Sequence, residues 1–127
     1  MRATFLLLVP ILISTSSAMA SSAGEMPAAE FLVRAEKLEK KGMLAMLSDD
    51  LKQLRREAEA AAEAYREMIT TDKQAGRAPH SCPPEGTQSL GSKELLEQLR
   101  SYSPAERENV TITVAFADLM KDRYPCS

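Results

Sequence analysis

The sequence has no tryptophan, one histidine (His80) and two cysteines (Cys82 and Cys126) in 127 residues. Each scarcity closes a route to chemistry. A structural zinc site takes four protein ligands, mostly cysteine and histidine, and His80, Cys82 and Cys126 are too few, so no metal site is expected. A cysteine–histidine nucleophile needs the pair organised in space by a third group, which is seldom achieved by neighbours in one loop. There is no glycine-rich phosphate loop, serine nucleophile elbow or dinucleotide fingerprint. No cofactor and no catalytic residue is therefore expected, and the chain reads as a non-enzyme. Charge of one sign is also lacking: Lys and Arg number 16 against 18 Asp and Glu. Interspersed, balanced charge is not the basic stripe of a nucleic-acid binder. Asp49 and Asp50 are adjacent, and adjacent helical residues point in different directions, so they read as complements to a helix dipole rather than as a carboxylate pair.

What is present begins at Met1. Arg2 gives a short positive region, Ala3 to Ile13 is almost wholly apolar, and Ser14 to Ser17 leads into Ala18-Met19-Ala20. This order is that of a secretory signal peptide (residues 1–20), with cleavage expected between Ala20 and Ser21. The apolar run falls well short of the roughly 20 residues that span a bilayer. No cysteine follows it to carry a lipid, and no membrane association is expected after cleavage. The mature chain would be one small domain in the periplasm or secreted. In such an oxidising compartment an even cysteine count reads as a disulfide, here Cys82 with Cys126. A free thiol or an intermolecular bridge are the alternatives.

The mature sequence reads as all-α, a small bundle of about four helices. Residues 21–26 are expected as a flexible leader. A first helix opens at Met26-Pro27, places Phe31, Leu32, Ala35 and Leu38 on one face, and stops at Gly42. Met43, Leu44, Met46 and Leu47 form an apolar connector, expected against the core, although Met43 and Met46 are the best candidates for adaptable apolar surface. Ser48 caps the longest helix, whose stripe is Leu51, Leu54, Ala58, Ala61, Tyr65 and Met68. It ends before Gly76. Prolines and glycines make residues 77–91 a loop. Ser92 is expected to cap a third helix carrying Leu95, Leu96, Leu99 and Tyr102. Ser103-Pro104-Ala105-Glu106 is a capping box with proline at the first helical position, opening a fourth helix that runs to Arg123-Tyr124. Within it, Val110, Ile112, Val114 and Phe116 alternate with smaller residues in the manner of a strand. Nothing else in the chain reads as a partner strand, so helix is preferred. Asn109-Val110-Thr111 matches a glycosylation sequon, expected to be incidental because it would lie inside a buried helix.

Ser81-Cys82-Pro83-Pro84-Glu85-Gly86-Thr87, followed by a short leucine-rich helix, a proline-started helix and then Tyr124-Pro125-Cys126, resembles the Rap/Tai family of periplasmic immunity proteins. That family's pattern is Cys-x-Pro-x-Gly, two helices, then an aromatic residue before Pro-Cys. The resemblance covers roughly Tyr65 to Cys126. It implies a small, exported, helical domain, often a homodimer, whose partner is a protein: several members protect a bacterium by plugging a type VI secreted peptidoglycan amidase. Many members carry a second cysteine pair, one of them in a Cys-x-x-Tyr arrangement. Here Ala62-Glu63-Ala64-Tyr65 keeps only the tyrosine, marking a divergent branch. The joint loss of both partners is consistent with Cys82 pairing with Cys126.

Overall fold

Pro27 lies just outside the first helix, α1 (Ala28–Lys41), in a computed structural model that describes residues 22–86 and 90–127. The face carrying Phe31, Leu32, Ala35 and Leu38 is buried as its spacing predicts, together with Ala28. Gly42 ends the helix at φ +55, a left-handed conformation that suits a residue without Cβ. A 3₁₀ turn (Gly42–Leu47) reverses the chain. The long helix α2 (Asp49–Gln74) follows, started by the Ser48 hydroxyl, which accepts the Asp50 N–H at 3.3 Å. Its 26 residues extend about 39 Å at 1.5 Å per residue. Leu54, Ala61 and Tyr65 are buried along it, with Leu51 and Ala58 half-buried against the core.

After residues 77–91, α3 (Ser92–Ser101) buries Leu95 and Leu99. Ser92 was expected as its cap, but the capping residue is Gly91, whose N–H donates to Glu94 Oε2 at 2.7 Å. Ser92 is the first helical residue. The capping box is as read. Ser103 N–H donates to Glu106 Oε2 at 2.7 Å, and Glu106 N–H donates to the Ser103 hydroxyl at 3.3 Å. Hydrogen bonding from the Ser103 backbone first, and from the Ser103 side chain second, holds the Glu106 carboxyl below the usual carboxylate range.

The helix that this box opens is not the long one expected. It is a single turn, α4 (Pro104–Arg107), and a separate helix α5 (Ile112–Arg123) starts after Thr111, whose hydroxyl accepts the Val114 N–H at 3.3 Å. Glu108 and Asn109 turn the chain, and Val110 and Thr111 then meet the leader, which supplies the partner. Thr111 and Pro27 form an isolated antiparallel bridge. Ala28 N–H donates to Val110 O at 2.8 Å, Ile112 N–H to Met26 O at 3.0 Å, and Thr113 N–H to Gly24 O at 3.0 Å. Backbone groups satisfied in this way no longer need a helix. Among the described residues there are therefore five α-helices and no strand longer than that bridge.

The same bonds correct the expectation of a flexible leader over residues 21–26, of which 22–26 are described. Met26 is buried. Gly24 sits at φ +93, and a Cβ there would meet Thr113 Oγ1 at 2.6 Å, so only glycine fits between α2 and α5. The core gathers Met26, Phe31, Leu32, Leu54, Leu99 and Ile112 around the α1–α2–α5 contact, with Leu99 and Ile112 wholly enclosed. No helix among the described residues is long and apolar enough to cross a membrane.

Candidate functional site

Two places depart from ordinary bundle packing, one at each end of α2. Beyond its C-terminal end, the proline-rich loop is held by the Cys82–Cys126 disulfide, which spans 44 residues of sequence. Both expected partners are thus joined within the chain, and there is no free cysteine. Cys82 N–H also donates to Tyr124 O at 2.8 Å. Just before it, Ser81 is 1% exposed and its hydroxyl hydrogen-bonds the Tyr65 hydroxyl. The Tyr65 hydroxyl also lies 3.3 Å from His80 Nδ1, and its ring meets both His80 and Phe116 edge-on. Burial pushes the Tyr65 phenol above its ordinary pKa, against the opposing pull of Ser81. The arrangement is a latch: one helix tyrosine satisfies a serine that the disulfide loop carries into the interior. An apolar cleft of about 440 Å³ opens beside it, lined by Tyr65, Ile69, Pro83, Leu90, Phe116 and Met120.

His80 and Cys82 are brought near one another, but the sulfur is consumed in the disulfide. Asp49 and Asp50 diverge as adjacent helical residues must: Asp49 pairs with Lys52 at 3.1 Å, and Asp50 pairs with Arg34 at 2.9 Å. No group of three or more His, Cys, Asp or Glu side chains poised to hold a metal occurs among the described residues. Asn109 is exposed on the turn after α4, its side-chain Nδ2 donating to Ala105 O at 3.3 Å. The sequon is therefore not inside a buried helix, and that reason for dismissing it falls. Ala20, where cleavage is expected, lies outside the described residues, as do Ser21 and the rest of the 1–20 segment.

The other place is the 3₁₀ turn before α2. Met43, Leu44, Met46 and Leu47 were expected against the core and are instead 93%, 70%, 68% and 82% exposed. The reversal is the cause. A tight turn at the tip of the α1–α2 hairpin projects past the end of the core, and only Ala45 packs back against it. The expectation that Met43 and Met46 form adaptable surface fits this position. Exposed Lys40 and Lys41 flank the apex, and the Lys41 ammonium donates to the Ser48 hydroxyl at 3.3 Å.

Sequence reasoning missed Glu57. It lies on the apolar stripe of α2, three residues after Leu54, and is buried. Its Oε2 accepts N–H groups from Gly24 at 2.6 Å and Met26 at 3.2 Å, which ties the leader to the long helix. A carboxylate in register with the apolar stripe was the available signal. Tyr102 gained a role that its place on an apolar face did not suggest. Its hydroxyl donates to Asp118 Oδ2 at 2.5 Å, joining the end of α3 to α5. Burial, reinforced by Asp118, pushes its pKa up to about 12. In comparisons with known proteins, the chain matches no family model, no curated protein and no solved structure.

Proposed function

We propose that this is an exported, non-enzymatic binding protein of the immunity type, an inhibitor of a type VI secreted peptidoglycan amidase acting in the periplasm. The observation that carries the reading is the apex. Four large apolar side chains project together from a structured turn on a bundle whose own core is closed without them. A contiguous apolar patch of this kind marks a contact surface, and anchors near the centre of an interface supply most of its energy. A convex tip suits a concave cleft, such as the active-site groove of a hydrolase that accommodates a polymer. The Cys-x-Pro-x-Gly and Tyr-Pro-Cys motifs, with their resemblance to the Rap/Tai family, point to the same partner class.

The test is inhibition of purified type VI secreted peptidoglycan amidases, with titration calorimetry of the mature protein. The expected result is a stoichiometric complex and loss of cell-wall hydrolysis. The double variant Leu44→Asp/Leu47→Asp should weaken binding by about 30-fold or more, the loss expected even if only one of the two leucines is an anchor. Absence of both complex and inhibition overturns the reading. The methionines at the apex favour one alternative, a holdase chaperone with adaptable apolar surface. It would suppress aggregation of unrelated unfolded clients and form no single tight complex.

A further inference from the structure

We propose that Met43 and Met46 form an oxidation site, and that peroxide or hypochlorite converts them to sulfoxides that make the apex polar while leaving the fold intact. The argument starts from what an oxidant can reach. The two cysteines are already joined, and the sequence has no tryptophan. The exposed thioethers are then the most readily oxidised side chains, and the methionines differ in access, with Met68 half-buried between the extremes. Met43 is 93% and Met46 68% exposed, whereas Met26 is 6% and Met120 5% exposed in the core. In the step itself, the thioether sulfur gives two electrons to hydrogen peroxide. The O–O bond breaks, one oxygen forms the sulfoxide, and the other leaves as water.

Location decides the consequence. Oxidation of a core methionine disrupts packing, but the exposed apex thioethers contribute little to lose. The sulfoxide dipoles would stand beside Leu44 and Leu47 and interrupt the apolar patch. For docking, this rests on the binding reading above: an oxidised apex would bind its partner more weakly, a regulation built into the contact surface.

The mature protein treated with graded hydrogen peroxide and followed by peptide mass spectrometry tests the site without any partner. Met43 and Met46 should gain one oxygen at least about tenfold faster than Met26 and Met120, following access. Retention on a hydrophobic-interaction column should fall in step with that oxidation, with the melting temperature unchanged. The variant Met43→Leu/Met46→Leu should keep its retention after the same treatment. Equal oxidation of core and apex methionines overturns the proposal, as does a melting temperature that drops in step with Met43 oxidation or a retention that does not move. An unoxidised protein that fails to bind an amidase would sink the binding reading and leave these readouts standing.

Discussion

Beyond the C-terminal end of α2 the chain is irregular and rich in proline, yet it is tied down at several points. Cys82 is bonded to Cys126, its N–H reaches Tyr124 O, and Ser81 is enclosed with its hydroxyl on Tyr65. Beyond the N-terminal end the chain is regular, a 3₁₀ turn, yet its large side chains touch little. The contrast separates regular backbone from secure structure. A segment without repeating hydrogen bonds must find specific partners for its polar groups. A turn closed by its own backbone can leave its side chains free.

Several measurements would break or sharpen this contrast. The largest effect belongs to the tied end. Cys82→Ser/Cys126→Ser should cost about 4 kcal/mol, the chain-entropy value for a loop of this length, read as a lower urea midpoint. Both cysteines are exposed, so a small dithiol should reach the bond in the native protein and give the same loss. Next comes Glu57→Ala, which leaves the N–H groups of Gly24 and Met26 without their carboxylate. A cost of about 1–3 kcal/mol is expected for orphaned buried donors, with hydrogen exchange speeding at Gly24 and Met26 before the rest of the core. Tyr65→Phe keeps the ring against Phe116 but orphans the enclosed Ser81 hydroxyl, for about 1–2 kcal/mol. Adding Ser81→Ala should recover part of that loss.

Tyr102 supplies a pH readout through its bond to Asp118. Its folded pKa of about 12 lies above the ordinary tyrosine value of 10.0, so the native state holds this proton more tightly than the unfolded chain. The stability it contributes is complete below pH 10.0 and is lost as pH rises through about 12. Ultraviolet difference titration should show a last tyrosine ionising near pH 12, absent in Tyr102→Phe. The smallest stability effect is expected at the apex. Met43→Ser/Leu47→Ser should shift stability by no more than about 0.5 kcal/mol, as for surface sites without packing. A loss of several times that amount would mean that the turn supports the bundle and would end the contrast between the two ends.

Much of the local structure was legible because its signals are local. Phe31, Leu32, Ala35 and Leu38 recur at helical spacing and are buried. Ser48 and Ser103 sit where a hydroxyl meets unpaired helix N–H groups, and both do so. The period-two run at Val110 was a true signal cut short: Thr111 is extended and bridges Pro27, then caps a helix. What was missing was its partner, since Gly24 to Pro27 has none of the β-branched or alternating character that announces a strand. The connector was misplaced for a related reason. Hydropathy reports that Met43, Leu44, Met46 and Leu47 would gain from burial, but it cannot report whether the core extends to where the turn lies.

By itself, then, the sequence determined the all-α class, the start of α2 and the stop of α1, the capping box at Ser103 and the identity of the only two cysteines that could pair. Caps, periodicity and glycine conformation act within a few residues, so they can be read along the chain. Only the tertiary structure decided that the leader docks on Glu57 and Val110, that the last helix divides in two, that Tyr65 latches Ser81 and that the apolar turn faces outward. Each of these depends on groups many residues apart, Gly24 and Glu57 being separated by 33 positions. Their pairing is fixed by how the helices pack, not by any pattern in the intervening chain.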